Sequence, residues 1–123
     1  MGRLIISLMI FSMAQVANAE PIKASWYSVE SLKKEGSWKL YKGVQANGTQ
    51  FNDDKDSVAS RMHDLGTHLL VTNLDNGKSV KVEVTDRIGR RFAQTRIDLS
   101  KGAFAKISDL NKGVIPVKIE AIQ

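Results

Sequence analysis

The sequence predicts an all-β fold closed into a small barrel, with one or two short helices at its margins. Three observations carry this prediction. Val80, Val82 and Val84 alternate with Lys81 and Glu83, the period-2 pattern of a strand apolar on one face and wet on the other. About five or six short apolar segments of this kind are separated by Gly-, Asn- and Asp-rich turns, and no long stretch has helical periodicity. The chain has no cysteine, so a small exported domain of this length depends on hydrophobic packing and a well-closed sheet.

Residues 1–19 read as a secretory signal peptide. A short basic start ending in Arg3 precedes an apolar run over 4–14, and Ala17-Asn18-Ala19 is a small-x-small cleavage site. The apolar run is too short for a membrane span, and no later run approaches about 18 residues. One domain, 20–123, is expected to remain after cleavage, with no membrane span and no cysteine to carry a lipid anchor.

Within that domain, residues 24–29 have the aromatic and β-branched content of a first strand. The polar, basic segment 31–43 reads as an irregular excursion, and Asn47-Gly48 marks a turn on the approach to Phe51. Residues 58–62 fit a short helix or a strand equally well. Residues 66–73 form a strand with Leu69 and Val71 on one face and His68, Leu70 and Thr72 on the other. Asp75-Asn76-Gly77 is the strongest turn signal, because Asn-Gly supplies positive φ angles for a tight hairpin into the strand 79–85. A basic loop over 87–94 leads to a short strand over 95–99. Ser100 is placed to cap a helix of two or three turns that buries Phe104 and Ile107, weakened by Gly102 by about 1 kcal/mol relative to alanine. The last strand, 114–122, carries Ile115, Val117 and Ile119 on one face, and Pro116 suggests an edge or irregular start.

Composition narrows the functional classes. The net charge is +5, of which Arg3 would leave with the signal peptide. A modest positive field favours anionic polymers. Nucleic acid is a poor partner for an exported chain without a clustered aromatic-basic pattern, and cell-wall glycan bearing peptide carboxylates is a better one. His63 and His68, five residues apart without a nearby cysteine, do not make a metal site. Ser60 and Ser100 have no paired base in sequence, so a serine nucleophile is unsupported.

The best candidates for chemistry are two carboxylates at strand ends. Asp86 closes the 79–85 strand and is followed by Arg87; it can orient a sugar hydroxyl, cap a turn or pair with an arginine. Asp98 lies between Ile97 and Leu99 and points away from both. An acid with such neighbours can have the raised pKa that a general acid for glycosidic cleavage needs, or can cap the following helix with Ser100. Trp26, Tyr27 and Trp38 are candidate platforms for sugar rings, whereas Phe51 reads as core.

Taken in order, Ala24-Ser25-Trp26-Tyr27, Ala46-Asn47-Gly48 with Phe51, Leu65-Gly66-Thr67, Val71-Thr72-Asn73, Asn76-Gly77-Lys78-Ser79-Val80, Thr85-Asp86-Arg87, Arg96-Ile97-Asp98-Leu99-Ser100 and Ala103-Phe104 resemble the RlpA-like double-psi β-barrel family, a relative of the first domain of expansins. The match runs from about Ala24 to Ile122. The resemblance implies a six-stranded double-psi β-barrel that binds peptidoglycan glycan strands in a surface groove, without metal or cofactor and as a monomer, in the periplasm or cell envelope. Some members are lytic transglycosylases that cleave between N-acetylmuramic acid and N-acetylglucosamine and leave a 1,6-anhydro sugar. On the same basis Asp98 and Asp86 are the expected catalytic pair, matching two aspartates of the expansin groove. Tyr27, Trp26, Asn47, Thr49, Ser60 and Arg87 are the expected substrate contacts. The chain departs from the family pattern at Thr49, where an acid is usual, and at Ser60, where a histidine is usual. Asp64 stands in place of a proline, and Ile88 to Phe92 in place of Gly-Pro-Phe. A non-catalytic glycan-binding or wall-loosening module is the alternative expectation, and a protein-binding barrel a third.

Overall fold

The computed structural model describes residues 20–123, so the proposed signal peptide lies outside the described residues. Six strands, β1 (Ile22–Tyr27), β2 (Ser57–Ala59), β3 (His68–Asn73), β4 (Ser79–Asp86), β5 (Arg96–Ser100) and β6 (Ile115–Ile122), close into one barrel in the order β1-β5-β2-β4-β3-β6. The parallel pairs β1/β5 and β2/β4 are joined by antiparallel β2/β5, β3/β4, β3/β6 and β1/β6 pairs. Closure satisfies the ladder on both sides of every strand, which answers the lack of disulfides.

Strand alternation sorts the residues into an inside and an outside. Leu69, Val71, Val80, Val82, Val84, Ile97 and Leu99 fill the interior together with Phe104 and Ile107, all essentially inaccessible to solvent. The last two come from the helix α3 (Lys101–Ile107), which Ser100 caps as expected by accepting from the Ala103 amide. A second, smaller cluster of Tyr27, Phe51, Ala59 and Ile88 lies on the outer face, with Val29, Leu32 and Phe92 packed against it.

Two expectations need correction and two are narrowed. The excursion 31–43 is largely helical: α1 (Val29–Glu35) and α2 (Ser37–Tyr41) occupy it, giving three short helices in all among the described residues. Their cause is local, since Ser28 and Ser31 form a reciprocal capping box and Gly36, at φ 93°, ends the first helix in the left-handed region. The ambiguous segment 58–62 contributes only the strand β2, after which Ser60 and Arg61 turn away. The hairpin loop 74–78 uses positive φ at Gly77 alone, not at Asn76. Asn73 and Asn76 both donate to the Ile107 carbonyl, at 2.8 and 2.9 Å, and this pins a wider loop to the end of α3. Pro116 is the second residue of β6, paired in register with Lys23 of β1 but lying before β6 meets β3 at Val117, so the irregular start falls at the one-sided beginning of the strand. Among the described residues no helix is long and apolar enough to cross a membrane.

Candidate functional site

The outer cluster is the floor of a groove. Helices α1 and α2 form one wall, and the segment following β4 forms the other. One stretch encloses about 500 Å³ and is lined by Trp38, Tyr41, Val44, Ala46 and Phe51, among others. The adjoining stretch, about 300 Å³, is lined by Ser25, Tyr27, Ile88, Phe92, Arg96 and Asp98. Leu32, Glu35, Asp86 and Arg87 border both stretches.

Asp98 reaches this groove because Ile97 and Leu99 are committed to the interior, which turns the residue between them outward. Its register partner on β1 is Ser25, whose hydroxyl donates to Asp98 Oδ1 at 3.0 Å, and Asp98 Oδ2 has no partner among the described residues. Burial pushes the Asp98 carboxyl up to about 6, helped by the negative charges of Glu35 and Asp86 and opposed by the Ser25 hydrogen bond and Arg96. A carboxylic acid that keeps its proton close to neutrality can donate it to a leaving oxygen.

Asp86 is held differently. Its Oδ1 accepts from the Ala46 amide at 3.1 Å and from the Arg87 amide at 2.9 Å, and Oδ2 accepts no hydrogen bond at full geometry among the described residues. The first of these bonds fastens the 44–50 turn against the end of β4. Gln45 strengthens the attachment by accepting from the Thr85 hydroxyl at 2.6 Å, and the Asn47 amide donates to the Thr85 carbonyl at 3.1 Å. Arg87 does not form an ion pair with Asp86. Its guanidinium donates to the carbonyls of Ser60 and His63, both at 2.7 Å, and so braces the wall it belongs to.

Tyr27 stacks on Phe51 with ring centroids 4.4 Å apart, and its buried hydroxyl has no partner at hydrogen-bonding geometry. Asp86 is near enough to act on it through charge: burial first, then the charges of Asp86 and Asp98, hold the phenol far above its ordinary range. Trp38 lies across Gly43, where a Cβ would meet the indole at 2.6 Å, and Lys33 Nζ sits 5.0 Å from its ring centre. The indole is thereby set as one wall of the larger stretch.

Of the expected site residues, the groove therefore gathers Asp98, Asp86, Tyr27 and Arg87, together with Trp38. Asn47 and Thr49 sit on the neighbouring turn and are spent on each other, Thr49 donating to Asn47 Oδ1 through both its hydroxyl, at 2.6 Å, and its amide, at 3.0 Å. Trp26 is elsewhere. It packs against the barrel interior and donates its indole N–H to the Leu110 carbonyl at 3.1 Å, because adjacent strand residues face opposite ways. Ser60 is fully buried and its hydroxyl accepts from the Met62 amide at 3.1 Å, so it has nothing to offer a ligand where it stands. Asp53 and Asp54 do not line the groove; Asp53 caps the start of α1 by accepting from the Val29 amide at 2.8 Å. Glu35 and Ser25 were not singled out from sequence. Ser25 could have been, as the residue two before Tyr27 and therefore on its face. Among the described residues no three His, Cys, Asp or Glu side chains converge to hold a metal ion.

If Trp38 is a glycan platform, Trp38→Ala should weaken binding to purified glycan strands by about 5- to 10-fold, in line with the loss of one stacked ring. The titration of Asp98 should stay where it is. Pull-down with sacculi across a protein concentration series checks the first, and carboxyl NMR the second.

The comparisons with known proteins agree with this architecture. Residues 33–119 match the family described as lytic transglycolase. The chain is 37% identical over 100 residues to the endolytic peptidoglycan transglycosylase RlpA of Campylobacter jejuni, covering 80% of this chain and 32% of that protein. It is 36% identical over 99 residues to the RlpA of Pseudomonas aeruginosa, covering 80% of this chain and 26% of that one. The chain thus spans about a third or less of these relatives' own length. Among solved structures, the barrel superposes on the Streptomyces papain inhibitor with a TM-score of 0.62 at 24% identity, covering 84% of this chain and 93% of that one. It superposes on Clavibacter michiganensis expansin with a TM-score of 0.59 at 24% identity, covering 85% and 50%. A mutant of that expansin has been solved in complex with cellohexaose. Extent of match and identity together assign the chain to the RlpA-like family of double-psi β-barrels, the lytic transglycolases.

Proposed function

We propose that this protein is exported to the periplasm or cell envelope, where as a monomer it cleaves peptidoglycan between N-acetylmuramic acid and N-acetylglucosamine. The observation that carries this reading is Asp98: a carboxyl group raised to about 6, with one oxygen free, on the floor of a groove bounded by Tyr27 and Trp38. In the reaction Asp98 donates its proton to the glycosidic oxygen as the bond from that oxygen to C1 of the muramyl ring breaks. The C6 hydroxyl of the same ring then bonds to C1, and its proton returns to Asp98. No water is consumed, and the products are a free 4-hydroxyl and a 1,6-anhydro sugar. Asp86, fixed through Oδ1, presents Oδ2 to a substrate hydroxyl.

A second reading, a glycan-binding or wall-loosening module using the same groove, is favoured by one observation. Neither Thr49 nor the buried Ser60 supplies the acid or imidazole usual at those positions in the family. Digestion of purified sacculi, with mass-spectrometric search for anhydro-muropeptides, separates the two. Product release supports the lyase, sacculus binding without product supports the module, and absence of binding defeats both.

A further inference from the structure

We propose that Glu35 is a third working carboxylate of the groove, acting beside Asp98 on the sugar ring whose bond Asp98 protonates; this rests on the glycan-cleaving reading above. Glu35 borders both stretches of the groove, a property it shares with only Leu32, Asp86 and Arg87. It therefore stands at the junction that a strand running from the Trp38 end to the Asp98 end must cross.

Its placement runs against local stability. Glu35 is the last residue of α1, at the negative end of the helix dipole, where acidic side chains are disfavoured. Among the described residues it pairs with no cation, although Lys33 and Lys34 precede it and Lys34 instead pairs with Glu30. What holds it is Ser37, whose hydroxyl donates to Glu35 Oε1 at 2.7 Å, while Oε2 has no hydrogen-bond partner among the described residues. A side chain kept where folding does not favour it is expected at a functional position.

A second observation points independently to a ligand here. Tyr27, only 8% exposed, lines the same stretch as Glu35 and Asp98, and its buried hydroxyl, with the Asp86 carboxylate nearby, finds no partner at full hydrogen-bonding geometry among the described residues. Buried polar atoms without partners are rare, and a bound hydroxyl-rich chain supplies the missing one.

The charges facing Asp98 come from each surrounding element: Glu35 from α1, Asp86 and Arg87 from β4 and the turn after it, Arg96 from β5, and Tyr27 as a phenol from β1. Glu35 lies on the side that favours the protonated acid. When C1 loses its bond to the leaving oxygen, positive charge develops on the ring, and a carboxylate at the groove wall stabilises it. Glycan covering the groove displaces water, so this interaction is less screened than in the free protein. The proton moves only between Asp98 and the two sugar oxygens.

The test compares Glu35→Gln with Glu30→Gln, an exposed change on the same helix outside the groove. In Glu35→Gln the carboxyl NMR titration of Asp98 should move to lower pH, while release of anhydro-muropeptides at pH 7 falls about tenfold or more with binding to sacculi retained. Melting temperature should hold or rise, since a charge is removed from a helix C-terminus; a purely structural role predicts a fall. Glu30→Gln should change none of these. An unmoved Asp98 titration, or unchanged turnover by Glu35→Gln, overturns the proposal. A titration that moves in a protein whose parent releases no product leaves the pairing of Glu35 with Asp98 standing and removes the lytic reading alone.

Discussion

Asp98→Asn is expected to abolish release of anhydro-muropeptides, by about a thousandfold or more, while binding to sacculi survives and the folded protein becomes more stable near neutral pH. The loss follows from chemistry. The amide cannot give up a proton to the glycosidic oxygen, and a positioned acid contributes roughly a hundred- to ten-thousandfold to such a step. Binding survives because the amide keeps an oxygen to accept from the Ser25 hydroxyl and fills the same space beside Ala59.

The gain in stability follows from the sign of the shift. Asp98 ordinarily would titrate at 3.8 and in the folded protein does so at about 6, with burial the main cause. Folding therefore favours the protonated form. Below the ordinary value the group costs nothing; as pH rises from the ordinary value to the folded one, the unfolded chain ionises while the folded protein holds its proton, and the penalty grows across that window. Above that window the penalty amounts to about 2–3 kcal/mol. Asp98→Asn removes it, so the variant should melt higher than its parent at pH 7.5 and at nearly the same temperature at pH 4. Activity of the parent should fall on the same limb, about tenfold per pH unit above the folded value, because only the protonated acid is competent. If Asp98→Asn retains full product release, Asp98 is not the acid; if its melting temperature drops at pH 7.5, the carboxylate is a stabilising ligand and not a strained one.

The two aspartates were legible in the sequence because strands announce their own faces. Ile97 and Leu99 had to go inside, so Asp98 had to face out, and the valines of β4 fixed where Asp86 emerges. The same rule, applied to β1, separates Trp26 from Tyr27; both were expected at the groove, and only one strand face can reach it. The helical wall was not legible. Helices α1 and α2 bury no residue completely and carry no apolar stripe. What specifies them is a serine–serine capping box and left-handed turns at Gly36 and Lys42, signals much weaker than periodicity. Glu35 was missed with them, since nothing in Lys33-Lys34-Glu35-Gly36 reports that the chain brings Glu35 to the groove that Asp98 lines. Ser60, expected as a substrate contact from the family pattern alone, is buried, and the Arg87 guanidinium donates to its carbonyl.

Gly102→Ala is expected to destabilise the protein by about 2–3 kcal/mol, although alanine is the better helix former by about 1 kcal/mol. Gly102 is the second residue of α3 and has an ordinary helical backbone, so propensity alone predicts a gain. The obstacle is packing: a Cβ at this position would lie 2.7 Å from the Asp53 carbonyl oxygen and 3.2 Å from the Asp54 Cα. Both obstructing atoms are backbone, so no side-chain rotamer relieves them. The loop cannot simply step back, because the Gly102 amide donates to the Asp53 carbonyl at 2.8 Å and the Ser100 hydroxyl donates to the Lys55 carbonyl at 2.6 Å. The Asp53 side chain in turn accepts from the Val29 amide at the first residue of α1. Displacing the loop therefore loosens the helix that carries Leu32 and Glu35 along the groove. A fall in melting temperature of roughly 10–20 °C should be accompanied by weaker binding to glycan strands at temperatures where the protein remains folded. Gly89→Ala is the control, since Gly89 has a negative φ and no atom within 4 Å of its Cβ position, and its stability should match the parent. If Gly102→Ala melts with the parent, the 53–55 loop yields without cost and the link from α3 to the groove wall does not exist.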